Sequence, residues 1–183
     1  MAMRKKTARA MSEARRASVS AAKQYSTARL CAFHEAGHAV FSTLKGTGVE
    51  VVTIDPQRVK ELTGQERPGY TLNKESRLVE ADIALCSAAV GLTSEAMFVS
   101  GGVVNPKEDD ITRINEMLDQ LGLTGLARQN KFDSTRLMAQ QFISDNRSPV
   151  EAIAEALMEQ KTLTGDDVRR IIEATGAVIP ATT

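Results

Sequence analysis

The feature that most constrains this chain is the segment RLCAFHEAGHAV at residues 29–40, which contains both histidines of the sequence, His34 and His38. Residues four apart lie one above the other on one face of an α-helix, so both imidazole rings can reach a single metal ion. Glu35 lies about 100° round the helix from His34, beside the two rings. A base that acts on a water molecule at the metal would stand there. The segment therefore predicts a helix that carries a metal site.

The composition favours one mainly α-helical domain. The chain has 183 residues, 42% of them apolar, with 4% aromatic residues and no Trp, which suits an aliphatic, helix-rich core. No apolar run reaches the roughly 18 residues that a membrane helix needs, and no secretory signal is expected. Cys31 and Cys86 are isolated in the sequence. A reducing compartment, and hence a cytoplasmic location, is expected.

The N-terminal segment differs from the rest in charge, because residues 1–30 contain eight Lys or Arg and one Glu. We expect residues 1–25 to form a basic, flexible or partner-dependent tail. A contact with nucleic acid or an acidic membrane is the second interpretation, although Tyr25 is the only aromatic residue near the tail. A mitochondrial-type presequence is the third. The predicted domain covers residues 26–176, and residues 177–183 form a C-terminal tail.

Periodicity and capping signals predict the elements of this domain. A first helix begins at a Ser26 cap, ends near Leu44 before Gly46 and Gly48, and contains Gly37, which predicts a close approach by another element. Two short strands are expected on either side of a polar loop, and an apolar central helix follows them. The predicted strands are Val49–Ile54 and Gly69–Leu72, with a loop at Pro56–Pro68 between them. The predicted helices lie within Arg77–Phe98, which Gly101-Gly102 ends, and at Asp109–Leu121 and Ser134–Ile143. Two further helices are predicted, one that begins with a capping box at Ser148 and one that begins at Thr164.

Two histidines leave a catalytic zinc ion one protein ligand short, since three protein ligands and a water are usual. The chain has no third histidine, and Cys31 is interpreted as a buried small apolar residue. The third ligand is therefore expected to be a carboxylate from a distant segment. The candidates are Asp82, Glu95, Glu108, Asp109 and Asp110.

Helical spacing separates the two neighbouring aspartates. Asp110 heads an apolar stripe through Ile114, Met117, Leu118 and Leu121, whereas Asp109 heads a polar stripe. A charge on a core-facing stripe is unfavourable unless it is paired or bound to a metal, which favours Asp110. The alternative is that both residues form an acidic helix start that complements the helix dipole.

Glu95 follows the apolar segment and leaves two interpretations open. It is either the exposed end of that helix or a partner that orients a ligand histidine.

Several segments together resemble the peptidase domain of the FtsH-type ATP-dependent zinc proteases. They are FHEAGHAV, VTIDP, GYTL, VGLTSEAMFVSGG, EDDITRI and IAEALMEQKTLTGDDVRRII, in matching order across about residues 27–175. In that family two histidines and a distant aspartate bind zinc, and the glutamate is the general base. The resemblance thus implies zinc ligands His34, His38 and Asp110, a general base Glu35, and a supporting role for Glu95.

The resemblance implies a zinc metalloendopeptidase with a mainly α fold and a small β-sheet or hairpin. Its substrate would be a peptide or unfolded protein, paired with the strand at Val49–Ile54 by strand addition. We expect a stand-alone chain without the AAA+ module and transmembrane helices of family members, working with a separate AAA+ ATPase or as a homo-oligomer. The alternative is a peptidase-like, zinc-binding adaptor or subunit without proteolytic activity.

Overall fold

A computed structural model describes residues 27–74, 81–99 and 108–180 of the chain. These residues form seven helices and one three-stranded antiparallel sheet, which confirms the expected mainly α fold with a small β element. The predicted tail at 1–25, Ser26 and Gly101-Gly102 lie outside the described residues. The elements are α1 (27–44), β1 (Val49–Thr53), α2 (Pro56–Thr63), β2 (Tyr70–Asn73), α3 (Ala81–Phe98), α4 (Glu108–Gln120), α5 (Gly125–Asp145), α6 (Arg147–Gln160), β3 (Thr162–Thr164) and α7 (Gly165–Ala174).

The sheet has the strand order β2-β1-β3. The two predicted strands are confirmed as β1 and β2, and the three-residue β3 was not predicted. Val52 shows why β1 is the central strand, because it lies opposite Thr71 of β2 on one side and Leu163 of β3 on the other. The prediction that a peptide substrate pairs with the strand at Val49–Ile54 is therefore wrong, since both edges of β1 are already paired within the sheet. Within the described residues, the free edges belong to β2 and β3.

The predicted polar loop at Pro56–Pro68 is wrong over most of its length, because it contains α2. Asp55 caps this helix by accepting a hydrogen bond from the amide of Gln57, and Pro56 occupies the first turn. Gly64 ends the helix in the left-handed conformation, with φ of 71°. These three local signals were present in the sequence, and the polar composition between them concealed a helix with Val59 as its buried residue.

The predicted close approach at Gly37 is confirmed. A methyl group at Gly37 would lie 2.8 Å from the carbonyl oxygen of Val90 and 3.0 Å from Cβ of Ser94. Both contacts come from α3, so glycine allows α1 and α3 to pack backbone against backbone. The first helix ends where expected, because Gly46 and Gly48 have φ of 85° and 65°.

Helix α3 is apolar on nearly every side, as expected for a central buried helix. It is the helix of the described residues that is long and apolar enough to span a membrane by length and composition, and half of its residues are buried within the fold. Core helices of soluble proteins share these properties. Its Leu85, Cys86 and Val90 belong to one buried cluster that also contains residues of α1, β1, α4, α5, α6, β3 and α7.

Helix α4 matches the predicted amphipathic helix. Ile114 and Leu118 are buried, as the apolar stripe predicts, and Met117 is partly buried. Leu121 is 43% exposed, so its place on the stripe is wrong. The helix ends at Gln120 and the chain turns at Gly122, with φ of 66°, which takes Leu121 away from the core face.

The predicted starts of α5 and α6 differ from the structure, whereas the predicted start of α7 agrees with it. Helix α5 begins at Gly125 and not near Ser134, whose hydroxyl donates to the carbonyl oxygen of Lys131 within the helix. The capping box at Ser148 is wrong, because α6 begins at Arg147, before that serine. The start at Thr164 is confirmed, since Thr164 and Asp167 form a reciprocal capping box at the N-terminus of α7.

Candidate metal centre

The two histidines lie on the face of α1 that is turned into the protein. His34 is 2% exposed, and the side chain of His38 is 17% exposed. Their Nε2 atoms are 3.1 Å apart, so the rings converge on one point as the spacing predicts. Two largely buried rings whose nitrogens converge on one point favour a shared ligand there.

Asp110 reaches the histidines from the first turn of α4. Its Oδ2 atom lies 2.8 Å from Nε2 of His34 and 3.7 Å from Nε2 of His38. Asp110 is the predicted carboxylate, and the structure brings it together with both rings. One ligand atom from each of the three residues lies within 4.8 Å of the others.

The spacing of these three atoms suits a zinc ion. Atoms bound to one tetrahedral zinc at about 2.0–2.1 Å stand about 3.3 Å from one another. The observed separations of 3.1, 2.8 and 3.7 Å lie on either side of that value. The buried Oδ2 of Asp110 faces the Nε2 atoms of both rings. A cation between the three atoms would satisfy this oxygen, and two imidazoles with one carboxylate form a donor set that zinc accepts.

Gly91 of α3 leaves room for such an ion. A methyl group at Gly91 would lie 2.4 Å from Nε2 of His38 and 2.7 Å from Nε2 of His34. Every residue other than glycine would therefore press on both converging nitrogens. A role for Gly91 was not predicted from the sequence, although a glycine inside an otherwise apolar helix indicates a close approach by another element.

Glu95 supports His34 from the opposite side of its ring. Glu95 is 5% exposed, and its Oε1 lies 2.7 Å from Nδ1 of His34. It is therefore buried and does not form an exposed helix end. A carboxylate on Nδ1 favours the tautomer whose Nε2 carries a free electron pair, which is the form that binds a metal.

The surroundings of Asp110 keep it ionised. Burial raises the pKa of this carboxyl, but contacts with His34 and His38 and the charge of the two rings outweigh burial and lower the pKa well below its ordinary value. Asp110 thus offers a carboxylate, the form that can bind a cation, throughout the neutral range.

Glu35 lies beside the three ligands and faces strand β2. It is 3% exposed and receives a hydrogen bond of 2.9 Å from the hydroxyl of Thr71 to Oε2. A methyl group at Gly69 would lie 2.8 Å from both Cγ and Oε1 of Glu35, so the chain passes directly over this carboxylate just before β2. Thr71 and Gly69 were not identified from the sequence. Only the approach of β2 to α1 reveals them.

These residues line one cleft of about 450 Å³. Its lining includes Glu35, the two histidines and Asp110, together with Tyr70 and Thr71 of β2. A cleft of this volume, lined by converging titratable groups and by an edge strand, has the features of a binding or active site.

Of the other candidate carboxylates, Asp82 does not join the cluster. Asp82 forms an ion pair with Lys131 on the surface, and the side chains of Glu108 and Asp109 lie outside the described residues. Cys31 is buried, and its Sγ lies 2.9 Å from the carbonyl oxygen of Pro68, which agrees with its prediction as a small core residue.

Comparison with known proteins relates much of the chain to a zinc metalloprotease. No protein-family model matches the sequence. The chain is similar to the ATP-dependent zinc metalloprotease FtsH of Thermotoga maritima, with 30% identity over an alignment that covers 79% of this chain and 30% of that protein. The chain thus spans less than a third of the length of this relative.

Proposed function

We propose that this chain is a zinc metalloendopeptidase of the HExxH type, corresponding to the peptidase part of FtsH-type proteases. The observation that carries the proposal is the convergence of Nε2 of His34, Nε2 of His38 and Oδ2 of Asp110, at the spacing of zinc ligands and beside a buried glutamate. The similarity to a zinc metalloprotease supports the same reaction class.

His34, His38 and Asp110 would hold the metal. Bound zinc supplies a Lewis acid that polarises the scissile carbonyl and lowers the pKa of a water molecule. Glu95, whose Oε1 lies 2.7 Å from Nδ1 of His34, would hold this ring in the orientation that binds the metal through Nε2. Asp110 would contribute the negative charge of the ligand set, and this charge would neutralise part of the positive charge of the cation.

Glu35 would act as the general base. In the HExxH arrangement the glutamate is next to the first ligand but points to the side of the metal, so it can reach the attacking water without binding the ion. It would accept a proton from that water and deliver it to the nitrogen of the leaving amine, which becomes a neutral amine as the peptide bond breaks. Its burial, with 3% exposure, keeps bulk water from competing for the carboxylate.

Strand β2 would bind the substrate backbone. Within the described residues β2 is an edge strand, and Tyr70, Thr71 and Asn73 line the cleft. An extended peptide can pair with such an edge through main-chain hydrogen bonds, as in strand addition. An unfolded segment, and not a folded domain, would then lie along the cleft beside Glu35. A separate AAA+ ATPase or assembly into a homo-oligomer would provide the unfolding that a folded substrate requires.

The Glu35→Gln variant tests the proposal, because glutamine keeps the size of the side chain and removes its basic carboxylate. We expect about one zinc per chain in both proteins and a fall in peptide hydrolysis on the order of 10²–10⁴-fold in the variant. Zinc content is measured by mass spectrometry and hydrolysis with casein, alone and with a AAA+ ATPase added. Glu173→Gln, an exposed position on α7, is the matched control and should cleave like the unmodified chain.

Two outcomes contradict the proposal. The first is a chain that binds zinc but shows no metal-dependent hydrolysis in either format. The second is a Glu35→Gln variant that is as active as the parent. Either result favours the adaptor interpretation, since an adaptor needs the fold and the metal but not the proton transfer.

A further inference from the structure

The hydroxyl group of Thr71 lies directly on the carboxylate of Glu35. Its Oγ1 is 2.9 Å from Oε2 of Glu35 and 3.4 Å from the main-chain oxygen of the same residue. A buried carboxylate requires donors to remain ionised, and a hydroxyl is a donor that can rotate toward it. The contact joins two separate elements, α1 and β2, across 36 positions of the sequence.

The backbone around Thr71 fixes where that hydroxyl lies. Thr71 is opposite Val52 in the antiparallel pair with β1, so its position is set by the central strand of the sheet. Gly69 approaches the other oxygen of the Glu35 carboxylate so closely that a methyl group there would lie 2.8 Å from Oε1. Each oxygen of the carboxylate is therefore approached by one residue of the segment Gly69–Thr71.

A glutamate side chain has three rotatable bonds, and a general base works only in the rotamer that reaches the water. We propose that Thr71 is a positioning residue for Glu35, which holds the carboxylate by donating to Oε2. Because Thr71 belongs to the edge strand that lines the cleft, the same strand would align the peptide backbone and the base. This inference rests on the proposed peptidase function and assigns Thr71 a part in it.

Substitution by valine removes the hydroxyl of Thr71 and keeps its shape and its preference for a strand. For Thr71→Val we expect kcat to fall about tenfold, the loss expected when a hydrogen bond to a charged group is removed. KM should change by less than about twofold, because the substrate itself does not lose a contact. Thr71→Ser retains a hydroxyl and should recover most of kcat. Thr124→Val, an exposed position outside the cleft, is the control and should behave like the parent chain.

The Glu35→Gln background separates positioning from substrate binding. In that background Thr71→Val should cause little further loss of residual hydrolysis, because residues that act as a unit are not additive. Affinity for an uncleaved peptide, measured by fluorescence anisotropy on the zinc-loaded Glu35→Gln chain, should stay within about twofold when Thr71→Val is added. A tenfold loss of peptide affinity would instead identify Thr71 as a substrate-binding residue and overturn the inference.

Zinc content and the melting curve are measured for each variant before the kinetics. If Thr71→Val does not fold, Thr71→Ala replaces it as the variant without a hydroxyl. A parent chain that cleaves casein while the hydroxyl-free variant retains full kcat contradicts the role of Thr71 and leaves the peptidase proposal intact. A parent chain without metal-dependent cleavage contradicts the peptidase proposal itself.

Discussion

Gly91 and His38 lie so close together that a methyl group on Gly91 would fall 2.4 Å from Nε2 of His38. Replacing glycine by alanine inside a helix normally stabilises it by about 1 kcal/mol. Gly91→Ala should act differently, because its methyl group would occupy the space between the two imidazoles. We expect a folded, helical chain that loses most of its zinc, as measured by circular dichroism and metal analysis. Ser87→Ala, one turn away on α3 and in the same cleft, should keep the metal.

Removal of any one of the three predicted ligands should release or greatly weaken the metal, because each supplies one of three protein bonds. The variants His34→Ala, His38→Ala and Asp110→Ala are compared with Asp109→Ala, which should retain about one zinc per chain. Competition with a chromophoric chelator measures the affinities. Loss of zinc in Asp109→Ala together with its retention in Asp110→Ala would show that the carboxylate was assigned to the wrong residue.

Glu95 should tune the metal without being a ligand. Glu95→Gln keeps the shape of the side chain but weakens the hold on Nδ1 of His34, which lies 2.7 Å from the carboxylate. We expect zinc affinity to fall by roughly 10–100-fold, the usual effect of losing such a partner. Glu95→Gln should still bind one zinc at saturating metal. An unchanged zinc affinity would contradict the role of Glu95 in orienting His34 and would leave it only a role in packing.

Zinc should stabilise the fold, because its ligands come from two helices that the chain separates by more than 70 residues, α1 and α4. Metal at about 1,000 times its dissociation constant adds about 4 kcal/mol to the free energy of unfolding. For a chain of this size that corresponds to a shift in Tm of about 10 °C. Thermal unfolding with and without a chelator measures the shift. An unchanged Tm after proven removal of zinc contradicts a site that joins separate helices.

Two threonines at helix N-termini should differ in their contribution to stability. Thr164 accepts a hydrogen bond from the amide of Asp167, whereas Thr124 makes no side-chain cap at α5. Thr164→Ala should reduce the free energy of unfolding by about 1 kcal/mol, and Thr124→Ala should have little effect. Chemical denaturation of both variants measures the difference. Equal losses would contradict the assigned capping box.

The same capping box predicts how the difference in stability between the parent chain and Thr164→Ala depends on pH. Hydrogen bonds from the side chain and amide of Thr164 lower the pKa of Asp167. The stabilisation is therefore present above the ordinary pKa of an aspartate and is lost as the pH falls through the lowered value in the folded chain. The gap in stability between the parent chain and Thr164→Ala should accordingly narrow in acid. A gap that widens on acidification contradicts this sign.

Local features of the sequence were sufficient for most of the elements. The convergence of His34 and His38 follows from a four-residue spacing, and the capping box at Thr164 follows from a motif of four residues. The helix at Pro56–Thr63 was not predicted although Asp55 and Gly64 mark its ends, because its polar composition is typical of a loop. The Ser148 cap failed for the opposite reason, since the local motif is present but the helix had already begun at Arg147.

The sequence by itself determined the helix that carries His34, Glu35 and His38, because the contacts that arrange them lie within one turn and depend only on the helical repeat. It favoured Asp110 through a stripe of apolar residues, but the distance of that carboxylate from the rings is a property of how α4 packs. Only the tertiary structure decided that Glu95 is buried against His34, that Gly91 leaves the space between the imidazoles, and that β2 brings Thr71 onto Glu35. These contacts join residues far apart in the chain, and their geometry is set by the packing of whole helices and strands, which no local pattern encodes.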